Sequence, residues 1–189
     1  MGLHGDRRVI DTGSVNGEHF AVMAGAGLDA RMIAEADRST KARLGRAAYL
    51  YTGATSLFAH PVQAVVKVDG RRFFKGQVSC VLAGNVGRVL GGVEVFPAAQ
   101  PDSGRLELGV VTAGNPADWI RTLGRVAAGD AERSPFVEMT TGTSFRIRFD
   151  QKLLYELDGG ARPPAKELRI KVHPRSITIC VPAQRNGTP

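Results

Sequence analysis

The sequence predicts an α+β domain, mainly antiparallel β in a sandwich-like arrangement, with about three helices. Three observations carry that expectation. Most of the chain alternates apolar and polar residues with a period of two, as half-buried strands do. Two turn dipeptides, Asn16-Gly17 and Asp69-Gly70, lie between such segments, and both residue pairs tolerate the positive φ angles of a tight hairpin. The helix-forming stretches fall in two places rather than between successive strands, which argues against a parallel nucleotide-binding sheet.

Taken in order, residues 7–23 read as a hairpin turning at Asn16-Gly17. Residues 62–84 read as a second, longer hairpin turning at Asp69-Gly70, its partner strand ending near Gly84. Between them, helix formers over 29–37 predict a short helix. A second helix is expected over 44–59, where Leu44, Ala47, Ala48, Tyr51, Ala54 and Phe58 recur at helical spacing, widened by Leu50 and Leu57. A third starts at the N-cap Asn115, with Pro116 in its first position and Asp118 in its first turn. It ends at Gly129 after Ile120, Leu123, Val126 and Ala127. Phe145, Ile147 and Phe149 alternate with Arg146 and Arg148, and Leu168, Ile170 and Val172 alternate with Arg169 and Lys171. Each of those strands therefore has one apolar and one basic face. Residues 176–182 alternate through Ile177, Ile179 and Val181 until Pro182 stops the ladder. No linker or repeat divides the chain, so one domain over 1–182 with a frayed tail over 183–189 is expected.

Composition narrows the function classes. With 189 residues the chain is long enough to close a hydrophobic core. No apolar run approaches the roughly 18 residues needed to cross a bilayer, and the first twenty residues lack a secretory stretch, so a soluble, cytoplasmic chain is expected. The 25 basic and 18 acidic side chains leave a net charge of +7, which suits an anionic partner. Cys80 and Cys180 each sit in an apolar run and are expected to be buried and reduced. The four histidines are scattered, without the spacing of a zinc site.

Candidate chemistry is sparse. Gly25-Ala26-Gly27 and Gly91-Gly92 offer glycine-freed amides that can cradle phosphate, or simply close packing and turns. Asp158 follows the strand-like 152–157 and precedes Gly159-Gly160, where an abrupt turn projects a carboxylate able to take a proton from an alcohol. The same residues also make an ordinary turn. Residues 101–104, Pro-Asp-Ser-Gly, read as a turn in which Asp102 or main-chain oxygens can hold a hard cation. If the strands bearing Arg146, Arg148, Arg169 and Lys171 are neighbours, they form a positive plate suited to phosphate or anionic headgroups. Phe145 and Phe149 point away from it, so the aromatic platform of an RNA binder is missing and nucleic acid is not an expected partner.

Four segments, residues 9–33, 41–57, 81–111 and 153–182, together resemble the C-terminal half of the diacylglycerol kinase-like bacterial lipid kinases. The features that carry the resemblance are an early Gly-Leu-Asp-Ala, Gly84-Asn85 with the later Gly91-Gly92, a Pro before the Asp-x-Gly turn, and Leu157-Asp158-Gly159 before the closing strands. The resemblance implies a β-sandwich that forms part of a lipid site and closes over a cleft shared with an N-terminal ATP-binding domain. The Gly-Gly-Asp-Gly-Thr motif of that first domain does not occur here, so the chain looks like the second domain alone.

The implied reaction moves the γ-phosphoryl group of ATP to a lipid hydroxyl, with ATP and Mg²⁺ as cofactors of the complete enzyme. By resemblance Asp158 takes the position of the catalytic base. Family members carry a second acid two residues on, where this chain has Gly160, which puts activity in doubt. The family's metal turn corresponds to Asp102-Ser103-Gly104. If the residue immediately before glycine holds the metal, Ser103 has replaced it; if the earlier one does, Asp102 remains. The implied partners are a lipid such as diacylglycerol, an anionic membrane surface touched peripherally, the missing nucleotide-binding domain and, through uncovered apolar surface, a second copy of the chain.

Overall fold

The computed structural model describes residues 5–27, 61–89 and 92–182. Both expected hairpins form. Strand β1 (Asp6–Val15) turns at Asn16 (φ 52°) and Gly17 (φ 95°) into β2 (Glu18–Phe20). Strand β4 (Val62–Val68) turns at Asp69 (φ 47°) and Gly70 (φ 83°) into β5 (Arg71–Val78). Between them lies β3 (Met23–Ala26), and β6 (Cys80–Gly84) follows β5.

The second hairpin ends earlier than expected, at Val78 rather than Gly84. At Ser79 the chain leaves β4: the Ser79 N–H donates to Val111 and its hydroxyl to the Ala113 carbonyl. Strand β6 then pairs with β3 and with β9 (Leu106–Val111). Beyond β6 the small strands β7 (Arg88–Val89) and β8 (Val93–Glu94) pair with each other, and β9 leads to helix α1 (Pro116–Ala127). Then come β10 (Val137–Gly142), β11 (Ser144–Leu157) and β12 (Gly160–Val181).

Among the described residues all strand pairs are antiparallel, and β11 joins two layers. Its first part, Phe145 to Phe149, pairs with β4; its last part, Tyr155 to Leu157, pairs with β3; and β12 runs beside it throughout. Register shifts between Arg148 and Tyr155 bend the strand from one layer into the other. One layer therefore contains β5, β4, β11, β12, β1 and β2, and the other β10, β9, β6, β3 and the end of β11. The core lies between them: Val66, Phe145, Ile147, Leu168 and Ile170 from one side, Val81, Ala83, Leu106, Leu108 and Val110 from the other. The predicted alternation of β11 and β12 is correct, with the basic residues exposed and the apolar ones buried, Val172 half so.

Among the described residues there is one α-helix, α1, against the three expected; the expected helices over 29–37 and 44–59 lie outside the described residues, as does the expected tail over 183–189. Asn115 caps α1 as predicted, accepting the Asp118 N–H, and Gly129 (φ 75°) follows its end. The buried stripe differs from the expected one. Trp119 is buried with Cys80, Val111 and Ala113, and Leu123 packs against them as expected; Thr122 is buried with its hydroxyl 3.2 Å from that of Ser134, while Ile120 is 69% exposed. The indole is the larger apolar surface, and its burial rotates Ile120 into solvent.

Two further expectations are corrected. Cys80 is buried, its thiol pushed up to about 12 by desolvation, but Cys180 is exposed and no disulfide joins them. The final segment of β12 pairs with Asp6 to Ile10 and leaves Ile177 and Ile179 exposed, since among the described residues no third strand pairs with this two-stranded arm.

Close packing makes glycine necessary at position 84. A Cβ there would stand 2.3 Å from the Phe96 ring, which is itself fully buried. Gly84→Ala is expected to destabilise the chain by about 2–3 kcal/mol in urea denaturation. Gly124→Ala, on an open face of α1, is expected to stabilise it by about 0.5–1 kcal/mol.

Candidate functional site

Strand β11 ends at Leu157, and Asp158 (φ 48°) and Gly159 (φ 83°) turn the chain back into β12. The Asp158 N–H donates to the Met23 carbonyl (2.9 Å), which anchors the turn to β3. Its carboxylate is exposed, yet it reaches the bend before β3. Oδ2 accepts the Ala21 N–H (2.7 Å), and Oδ1 accepts those of Val22 (2.8 Å) and Met23 (2.9 Å). A carboxylate offers about four acceptor directions, so Oδ2 retains one for an incoming hydroxyl.

The bend is held from behind by Asn85, fully buried at the end of β6. Its side-chain amide donates to the carbonyls of Ala21 (2.9 Å) and Asp11 (2.8 Å), and its N–H donates to Val22 (2.9 Å). Asp11, also buried, extends the chain of contacts to the turn at 101–104. Its carboxylate accepts the Gly104 N–H (2.6 Å) and the Arg175 N–H (2.8 Å), and its own N–H donates to Pro101 (2.6 Å). Asp158 and Asp102 thus lie at two turns linked through Asn85 and Asp11. Asp102 itself is exposed and ion-paired with Arg8 at 2.7 Å, which holds its carboxyl below the usual range.

Glu156, two residues before Asp158, is the other titratable group of the turn. It is 3% exposed; one oxygen accepts the Gly159 N–H (2.7 Å) and Oε1 has no hydrogen-bond partner among the described residues. Burial pushes its carboxyl up to about 7, and the nearby Asp158 charge adds to the rise. Gly160, where a second acid is expected, faces a cation. A Cβ there would meet the Arg162 guanidinium at 2.8 Å, and Arg162 is clasped by Glu18 and by the Gly160 carbonyl.

Glu156 escaped the sequence reading because Tyr155-Glu156-Leu157 looks like an ordinary alternating strand with its acid in water. Asn85 stands in the Gly84-Asn85 pair, and Asp11, between Ile10 and Thr12, carries no signal of its own in the sequence. Of the glycine-rich segments, Gly27 (φ 87°) is required by close packing, since a Cβ would lie 2.3 Å from the Ser79 carbonyl.

The first 20 or so residues aside, the chain matches the family model described as the YegS C-terminal NAD kinase beta sandwich-like domain, over residues 22–181; the chain belongs to that family. It is 32% identical over 177 residues to a protein of Pseudomonas fluorescens named "Probable lipid kinase YegS-like", covering 88% of this chain and 57% of that one. It is 24% identical over 186 residues to the diacylglycerol kinase of Bacillus subtilis, covering 97% and 60%. A solved diacylglycerol kinase structure from Bacillus anthracis shares the fold with a TM-score of 0.69 at 20% identity, covering 94% of this chain and 57% of that one. The chain therefore spans under two thirds of the length of these relatives.

The turn at 101–104 does not fit a resident cation as it stands. Arg8 neutralises Asp102, the Gln100 and Pro101 carbonyls already accept hydrogen bonds, and both Asp11 oxygens are engaged. Among the described residues no cluster of three His, Cys, Asp or Glu side chains is placed to hold a metal.

The raised Glu156 carboxyl has a stability consequence of definite sign. Between the ordinary value of 4.5 and about 7 the folded chain keeps a proton that the unfolded chain has released. Stability therefore falls as pH rises across that window, by at most about 3 kcal/mol. Glu156→Gln is expected to remove most of this dependence in denaturation curves taken from pH 4.5 to 8.

Proposed function

We propose that this chain is the lipid-side domain of a diacylglycerol kinase-like phosphotransferase, working with a nucleotide-binding half in the same or another polypeptide. The observation that carries the reading is the Asp158 carboxylate. It is exposed at a strand-end turn, fixed by three main-chain N–H groups, and has one acceptor direction left on Oδ2. A lipid hydroxyl donating to that oxygen loses its proton to Asp158 as the hydroxyl oxygen bonds to the γ-phosphorus of ATP; the bond to the β–γ bridging oxygen breaks and ADP leaves. Positioning supplies most of the acceleration in such transfers. Here the rigid elements are Asn85, which holds the 21–23 bend, and the Asp158 N–H, which holds the turn. The exposed Val22 side chain beside the carboxylate offers apolar surface to an acyl or glycerol moiety.

The substrate class is a neutral lipid alcohol such as diacylglycerol, reached from an anionic membrane surface by peripheral contact. The described residues contain no helix long and apolar enough to cross a membrane. A second reading, a lipid-binding or regulatory domain without turnover, is favoured by Gly160: the place of the second acid faces Arg162, so Asp158 has no acidic neighbour on that side.

The two readings separate on reconstitution with the nucleotide-binding half of a relative such as the Bacillus subtilis enzyme. Mg·ATP-dependent labelling of diacylglycerol is expected, with Asp158→Asn lowering kcat about 10²–10⁴-fold and, because the amide nitrogen cannot accept the Ala21 N–H, lowering stability by about 1–2 kcal/mol. Turnover that survives this change would take Asp158 out of the mechanism, and no turnover with lipid binding intact would favour the second reading.

Asp102 is the carboxylate that a cation at the 101–104 turn would take, in competition with Arg8. Millimolar Mg²⁺ is accordingly expected to leave the thermal midpoint of the chain unchanged.

A further inference from the structure

Strand register places an unusual row of cations on the outer face of the β5–β4–β11–β12 layer. Arg72 is the register partner of Lys67, Lys67 of Arg146, and Arg146 of Arg169. With strands about 4.8 Å apart, the four cations span about 14 Å. One step along, Lys171 stands opposite Ser144. Lys67, Ser144, Arg146, Arg169 and Lys171 line an open groove of about 330 Å³.

The fold gains nothing from this arrangement, because like charges directly opposite on neighbouring strands repel. The acid set among them, Glu167, hydrogen-bonds Arg148 and Arg169 and lies 3.9 Å from Arg146. The two guanidinium groups hold its carboxyl down at about 2. Lys67, Arg72 and Lys171 have no ion pair among the described residues. None of the exposed large apolar side chains belongs to this row, and its aromatic neighbours Phe145 and Phe149 are buried beneath it. A protein partner or a stacked base would find neither an apolar anchor nor a ring. A surface of phosphate headgroups would find four to five cations in and beside an open groove.

We infer that this groove and its flanking row are a binding surface for anionic phospholipid headgroups, and that it sets the chain against the membrane. The choice of membrane over a soluble anion rests on the lipid-kinase reading, but the contact itself requires neither ATP nor the second half, so it is testable without turnover.

The 189-residue chain is sedimented with vesicles of phosphatidylcholine, alone or with about one third phosphatidylglycerol. Binding is expected only with the anionic lipid and is expected to weaken steeply at about 0.3 M salt. Lys67→Glu/Arg146→Glu/Lys171→Glu is expected to weaken it at least about 100-fold, and Lys67→Gln/Lys171→Gln about 25-fold. The lysine reversals relieve repulsion, and Glu at 146 exchanges the contact with Glu167 for one with its register partner Arg169, so circular dichroism and the thermal midpoint are expected to hold. Arg121→Glu/Arg125→Glu/Arg133→Glu, an equal charge change on and beside α1, is expected to stay within about five-fold of wild type. Equal losses in both triple variants, equal binding to uncharged vesicles, or groove-dependent binding of RNA or inorganic phosphate without vesicle binding would each overturn the proposal. Failed reconstitution with intact vesicle binding would overturn only the kinase reading.

Discussion

The antiparallel ladder between β11 and β12 is the constraint on which the molecule depends. One strand serves two layers: its first residues pair with β4 and its last with β3, and the register shifts after Arg148 make the bend. The same ladder sets both surfaces of chemical interest. At its closed end, the Asp158-Gly159 turn brings a carboxylate onto the bend before β3. Along its open face, the pairing of Arg146 with Arg169 aligns the cations. A slip of one residue would send the basic side chains into the core and the apolar ones into water, so the core that buries Phe145, Ile147, Leu168 and Ile170 also fixes where the charges stand.

Two acids two residues apart meet different environments at the closed end. Asp158 stands in solvent and takes three main-chain N–H groups. Glu156 is enclosed, takes one, and has its carboxyl raised to about 7 by desolvation. Desolvation of this kind is what lets a buried carboxyl such as that of Glu156 keep its proton towards neutrality. The scaffold around them is itself polar and buried. The Asn85 and Asp11 side chains hydrogen-bond main-chain groups at Asp11, Ala21, Gly104 and Arg175, so the bend at 21–23 and the turn at 101–104 are fixed relative to each other. Removing either partner would strand buried main-chain groups without water.

Local signals made most of the fold legible. Asn16-Gly17 and Asp69-Gly70 carry their turn geometry in their own residue types, and the alternation of β11 and β12 reports which face is buried wherever only one face is covered. The Asn115-Pro116 start of α1 is likewise a local property. What was not legible depends on distant partners. Ser79 breaks a continuous-looking strand because Val111 and Ala113 offer better partners than β4. Trp119 outcompetes Ile120 for the sheet, which periodicity alone cannot rank. Cys180 and Ile179 sit in an apolar run that the arm leaves uncovered. The Asp158 turn was visible as a motif, but Glu156 and Asp11 were not, since an acid in a strand reads as solvent-facing until both sides of the sheet are known to be covered.

The unequal fates of the two thiols give the molecule a built-in reporter. Cys80 is enclosed against Trp119 and Val111, with a thiol that stays protonated far above neutrality, whereas Cys180 stands in solvent on the arm formed by the two ends of β1 and β12. A maleimide dye or spin label therefore modifies a single native position without any engineered cysteine. Its fluorescence or line shape follows whatever comes to rest on that arm.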